Sequence, residues 1–249
     1  MINSNRQLTQ FINKKESMVT KKNRIWAMLA LVVAFAGLSS CLKNNTTPQK
    51  PYTSLAFISG VPTTYAADIY VNNAKEGANL GFAVYGGFTS ETLGSLKIDF
   101  KKAGGDSILA TTTGIYDTLD YHTHILYGQS PIDVYTINEA YTFDDLSTEK
   151  SNVRFFNLSP DLGPVDFYIN DTKVSSSRQN MDFLGGVYDS FVPTDANTVT
   201  VRAKAAGTDT EIAVKTDVTL GRGFAQTIFL AGLEGNTGDF KPKIAIMNH

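Results

Sequence analysis

The sequence is poor in the residues from which most enzyme and metal centres are built. Its 249 residues contain one cysteine, Cys41, and three histidines. A single cysteine excludes an intramolecular disulfide and any cysteine-cluster zinc site. The serine-nucleophile patterns Gly-x-Ser-x-Gly and Ser-x-x-Lys with its partners are absent. The glycines of Gly221-Arg222-Gly223 and Gly232-Leu233-Glu234-Gly235 precede no helical pattern, so they read as turns and not as phosphate loops. Cations are not in excess either: the net charge is -2, which argues against a nucleic-acid partner. No apolar run reaches the roughly 20 residues of a membrane-spanning helix. With 42% hydrophobic residues the chain still has material for a packed core. These absences lead us to expect a non-enzymatic protein without a cofactor.

The N-terminus reads as an address. Ile25 to Leu38 is a 14-residue apolar run without a charge, preceded by Lys21, Lys22 and Arg24. A basic stretch followed by 7–15 apolar residues fits a secretory signal. The run leads into Leu38-Ser39-Ser40-Cys41, which resembles the bacterial lipobox. That resemblance implies cleavage before Cys41, a diacylglycerol on its sulfur and a further acyl chain on its nitrogen. Several chains anchor a protein stably where a single one holds it only marginally. Residues 1–40 are therefore expected to be removed. Met18 is a candidate true start, because the sequence from there gives a conventional basic region. Six of the 22 Lys/Arg and one of the 24 Asp/Glu lie in residues 1–40, so the remainder carries 16 basic and 23 acidic residues, net -7. Residues 41–51 read as the lipidated cysteine and a polar tether. Leu42, not Asp, follows Cys41, which points to the outer membrane.

The rest of the chain contains an internal repeat. Leu55 to Lys75 lies without gaps on Val153 to Lys173, and Ala83 to Ala110 on Gly186 to Ala213. Fourteen of 49 positions are identical, among them Phe57/Phe155, Asp68/Asp166, Tyr70/Tyr168, Asn72/Asn170, Lys75/Lys173 and Gly104/Gly207. Chance predicts roughly three. The second copy carries five extra residues between the blocks. This gives two expected modules, residues 52–140 and 151–249, set end to end and joined by the acidic stretch Glu139 to Lys150. Thr198 to Lys204 and Ser95 to Lys101 alternate apolar and polar residues with a period of two. Val165 to Ile169, Thr227 to Leu230 and His124 to Tyr127 read as further strands. Short strands with frequent turn signals and polar outer faces predict all-β, antiparallel sandwich domains.

Asn157-Leu158-Ser159-Pro160-Asp161, followed by Pro164-Val165-Asp166-Phe167-Tyr168-Ile169-Asn170, resembles a bacterial domain of unknown function, DUF4397. The resemblance covers nearly all of the second module and implies an immunoglobulin-like sandwich, often in tandem in secreted and surface proteins. It supplies no catalytic residues. The first module is a divergent copy, with Ser59-Gly60-Val61-Pro62 where the pattern has Leu-Ser-Pro-Asp.

Three groups of residues deserve weighing as sites. His122 and His124 share one face of a strand, the arrangement in which two imidazoles hold zinc or copper, with Asp117 or Asp120 as a further ligand. The repeat register sets His122 on Gln226 and His124 on Ile228, which favours a place in or beside the core. Asp161, Asp166, Asn170 and Asp171 offer oxygens to calcium but lack EF-hand spacing. For Asp166 and Asp68 the simpler account is a carboxylate serving backbone N–H groups of a nearby loop. Tyr70 and Tyr85, matched in both copies, read as packing, whereas the unmatched Tyr116, Tyr121 and Tyr127 leave room for a surface aromatic patch. The function these features predict is that of an envelope lipoprotein, membrane-bound through its lipid, with a binding, adhesion or structural role. A glycan-binding accessory to a nutrient uptake system is the alternative.

Overall fold

The computed structural model describes residues 52–117, 120–139 and 145–249. Cys41, the apolar run before it and the tether lie outside the described residues, as do residues 140–144 of the connecting stretch. Within the described residues the chain forms sixteen strands in four four-stranded sheets, none closed into a barrel. No described helix is long and apolar enough to cross a membrane.

The first sheet has the order β4 (Val84–Thr92), β1 (Tyr52–Ser59), β7 (Tyr121–Gly128), β8 (Ile132–Asn138). The second has β3 (Ala74–Leu80), β2 (Ala67–Val71), β5 (Gly94–Lys102), β6 (Ile108–Tyr116). The third runs β12 (Val192–Thr194), β9 (Ser151–Asn157), β15 (Ala225–Ala231), β16 (Lys243–Asn248), and the fourth β11 (Thr172–Arg178), β10 (Val165–Ile169), β13 (Thr198–Ala205), β14 (Glu211–Thr219). The strand order of the first eight strands thus recurs in the last eight. So does the register: Ile69 pairs Phe100 and Phe167 pairs Ala203, while Phe57 pairs His124 and Phe155 pairs Ile228.

Each pair of sheets closes on its own core. Leu55, Phe57, Ile69, Leu96, Ile98, Phe100 and Leu126 fill the first sandwich. Val153, Phe155, Phe167, Val201, Ile228 and Leu230 fill the second. The expected alternation holds in β5 and β13, where Leu96, Ile98 and Phe100, and Val199, Val201 and Ala203, point inward. Most pairings are antiparallel, as predicted, but β1·β7 and β9·β15 are parallel.

Those four strands are also where the predicted polar outer face fails. From Thr53 to Ser59, His122 to Tyr127, Ser151 to Asn157 and Ala225 to Ala231 every residue is buried. A strand covered on both faces reads as a nearly continuous apolar run instead of an alternating one. The second cover is the other sandwich. Ala56, Ile58, Ile125, Tyr127 and Ile137 of the first sandwich form one buried cluster with Phe156, Leu158, Phe229, Ala231 and Met247 of the second. The sandwiches therefore pack sheet face on sheet face, in four layers, and not end to end. The repeat offset places Gly60 opposite Leu158 in the pattern, and here the two residues touch. A Cβ on Gly60 would sit 2.5 Å from the Leu158 Cβ. Glycine at this position of the first sandwich makes room for Leu158 of the second.

The five extra residues of the second copy have a clear place. They fall in the segment between β11 and β12 that carries a single 3-10 turn, Asp182–Gly185, whose Phe183 is fully buried between the sandwiches. Its ring meets Tyr127 at 5.4 Å, Tyr135 at 5.6 Å and Phe156 at 5.6 Å. Arg178 holds the turn: Nε and Nη2 donate to the two Asp182 carboxylate oxygens at 2.7 and 2.8 Å, and Nη1 donates to the Phe155 carbonyl. The Tyr188 ring lies 3.6 Å from the guanidinium carbon.

Candidate functional site

The residues retained in both copies explain one local device. Asp166 Oδ2 accepts from Lys173 Nζ at 2.6 Å and from the Gly207 amide at 3.1 Å, and Oδ1 accepts from the Ser177 amide at 2.8 Å. In the first sandwich Asp68 Oδ2 accepts from Lys75 Nζ at 2.7 Å and from the Gly104 amide at 3.3 Å. Lysine donation, opposed by burial and aided by the amides, pulls the Asp166 carboxyl down to about 2, and Asp68 shifts the same way. Asn170 and Asn72 complete the motif, each Oδ1 accepting a backbone amide from the neighbouring strand, Thr200 and Lys97. Asp166 and Asn170 thus serve the backbone, as expected for the aspartate. Asp161 Oδ1 likewise accepts from the Glu234 amide at 2.9 Å, and Asp171 is exposed. Among the described residues no group of three or more His, Cys, Asp or Glu is placed to hold a metal ion.

His122 and His124 do share a strand face, and it is the inner face of the first sandwich. His124 is fully buried, stacked at 5.4 Å on Phe57, with Nδ1 2.9 Å from Thr136 Oγ1 and no hydrogen bond at Nε2. His122 lies 4.5 Å from the Tyr116 ring. Burial lowers the pKa of both imidazoles, that of His124 to about 3, so His124 is neutral at ordinary pH. Neither Asp117 nor Asp120 joins them in a cluster of metal-ligand type. Tyr116 and Tyr127 are buried and form no surface patch with Tyr121; Tyr85, in contrast, is 42% exposed.

The strongest concentration of polar groups lies between the sandwiches, announced in the sequence only by an arginine set in an apolar strand. Arg154 and Glu139 are 1% and 0% exposed. Glu139, expected to open the acidic connecting stretch, sits just beyond β8 and is fully buried. Arg154 Nη1 donates to Glu139 Oε2 at 2.9 Å and Nη2 to Oε1 at 2.6 Å, a bidentate pair. Nη1 also donates to the Asp189 carbonyl at 2.9 Å and Nε to Thr227 Oγ1 at 2.8 Å. Thr123 donates to Glu139 from the first sandwich, and His249 Nε2 lies 2.7 Å from Thr227 Oγ1. The Phe191 ring covers the guanidinium at 4.4 Å. Burial pushes the Glu139 carboxyl up, but Arg154 outweighs it and holds the group below the usual glutamate range. Burial and the nearby arginine lower His249 to about 3. Arg154, Glu139, Thr123 and Thr227 are closed off from solvent, and the arrangement is that of a fastening.

At the β7–β8 turn, the far end of these strands from Glu139, the junction opens into a cleft of about 420 Å³. Tyr127, Gln129 and Asp133 line it from the β7–β8 turn of the first sandwich, and Pro160, Asn180 and Met181 from the second. Of the three unmatched tyrosines, Tyr127 lines this cavity.

A search of the curated proteins finds no match to the chain. Residues 151–244, from β9 into β16, match the family described as a domain of unknown function, DUF4397.

Proposed function

We propose that the protein is a non-enzymatic, lipid-anchored component of a bacterial cell envelope, and that its sandwiches are two copies of one eight-stranded module acting in binding, adhesion or architecture. One observation carries the anchor: the only cysteine of the chain closes a signal-like apolar run as Leu38-Ser39-Ser40-Cys41. The net charge of -7 beyond residue 40 keeps the body off anionic lipid, so attachment falls to the acyl chains. Leu42 after the cysteine favours the outer membrane. The recurrence of strand order and register supports a duplication, in which the family match of the second copy extends to the first.

The anchor is tested in bacteria fed an alkyne analogue of palmitate. The wild-type chain is expected to take up label and to sediment with membranes, and Cys41→Ser to lose both properties. An unlabelled wild-type chain, recovered in the soluble fraction, overturns the reading. The alternative, a glycan-binding accessory of an uptake system, draws its support from the polar cleft at the module junction.

A further inference from the structure

We propose that the junction cleft binds a neutral sugar, held between the β7–β8 turn of the first sandwich and the Pro160 and Asn180 loops of the second. This rests on the binding role proposed above and assigns it to a place. The cavity, about 420 Å³, lies within the range of small-ligand sites, which favour domain junctions. Its polar side chains are a carboxylate, two carboxamides, a phenol and a hydroxyl: Asp133, Gln129, Asn180, Tyr127 and Ser130. Such groups pair with neighbouring hydroxyls, because amides and hydroxyls both donate and accept while a carboxylate accepts twice. Among the described residues no lysine or arginine lines the cleft, and Asp133 gives it negative charge, so phosphates, sulfates and uronates are disfavoured.

The groups are fixed before any ligand arrives. Asn180 Nδ2 donates to the Pro160 carbonyl at 3.0 Å. Asp133 Oδ1 accepts from the Val134 amide at 2.8 Å, and its Oδ2 lies 3.4 Å from the Tyr127 hydroxyl. Gly128, at φ 82°, lets the turn close, since a Cβ there would lie 2.6 Å from the Pro131 carbonyl oxygen. Met181 stands at the rim in the left-handed region, φ 61°, with its side chain 47% exposed. A non-glycine residue held there is strained, and such outliers gather at ligand sites. Its thioether offers an apolar cover for a sugar ring.

Because the walls come from both sandwiches, an occupant also ties them together, and binding raises the melting temperature. The test uses the full mature chain in detergent, with glucose, galactose, mannose, N-acetylglucosamine and their β-linked disaccharides as probes, read by saturation-transfer NMR and calorimetry. At least one probe is expected to bind and to raise Tm. Asn180→Ala and Asp133→Ala are expected to weaken it tenfold or more, the worth of about one net hydrogen bond, while each ligand-free variant still unfolds in one cooperative transition. The proposal is overturned if no probe binds, if both variants bind as the wild type does, or if glucuronate or phosphate is preferred. Palmitate labelling of the same preparation is scored separately, so a failed cleft and a failed anchor are told apart.

Discussion

Removing Arg154 should be far more damaging than removing Arg154 and Glu139 together. Both side chains are essentially without solvent, and the guanidinium makes four of its hydrogen bonds to Glu139, Asp189 and Thr227. Arg154→Met leaves a buried carboxylate that has lost its bidentate cation and still accepts from Thr123. Breaking one side of such a pair costs about 3–5 kcal/mol, because the survivor keeps its desolvation penalty. Glu139→Leu strands the guanidinium and is expected to cost about the same. The double variant removes both charges and loses mainly the partners of Thr123, Thr227 and His249, so its cost is expected to be about 1–3 kcal/mol. The sum of the singles is about 6–10 kcal/mol, so the coupling is several kcal/mol and favourable to the pair. Urea unfolding of the mature chain at neutral pH, followed by circular dichroism, measures all four corners of the cycle. Additive losses, or a single-variant loss below about 1 kcal/mol, would refute the claim that this ion pair is dry and shared between the sandwiches.

Phe183→Ala is expected to cost about 3–5 kcal/mol, the penalty for emptying a buried aromatic site, measured by urea unfolding; a loss within about half a kcal/mol would place the ring outside the junction. Acid should weaken the fold. His124 and His249 titrate at about 3 in the native state, against about 6.5 unfolded. The unfolded chain binds more protons between those values, so stability falls as pH drops below about 6.5, by up to about 1.4 kcal/mol per pH unit per histidine, and levels off near 3. Below about pH 4 the lowered carboxyl of Asp166 adds to the loss down to its own value of about 2. His124→Ile, which copies the second sandwich at Ile228, is expected to make the slope shallower in melts at stepped pH, leaving the parts of His249 and His122; a slope unchanged in that variant would contradict the assignment.

The strands were legible because their inner faces alternate, and the repeat because identical residues serve the same backbone: Asp68 and Asp166 each bind a lysine and a glycine amide that also recur. What the period of two hid was the second buried face. Ile58, Ile125, Phe156 and Phe229 occupy positions that alternation assigns to solvent, and only their apolar character marks them as covered. The pairing of Glu139 with Arg154 spans a connector and two strands, so no local pattern announces it. An arginine between Val153 and Phe155 was nevertheless a visible anomaly, since an unpartnered charge is seldom buried. The extra residues near Phe183 were visible as a length difference, whereas their use depends on the partner surface. The same holds for Tyr127, whose place in a cleft follows from how the halves meet.

The apolar face shared by the sandwiches has a consequence for biogenesis. Chains are made from the N-terminus, and early domains fold before later ones emerge. The opening half reaches its final shape while Ala56, Ile58, Ile125 and Ile137 are still bare, because Phe156, Phe183 and Phe229 lie further along the polypeptide. For that interval the nascent molecule displays a sticky plane that needs shielding by a chaperone, and a product truncated after the first half would keep that plane permanently and be prone to clump.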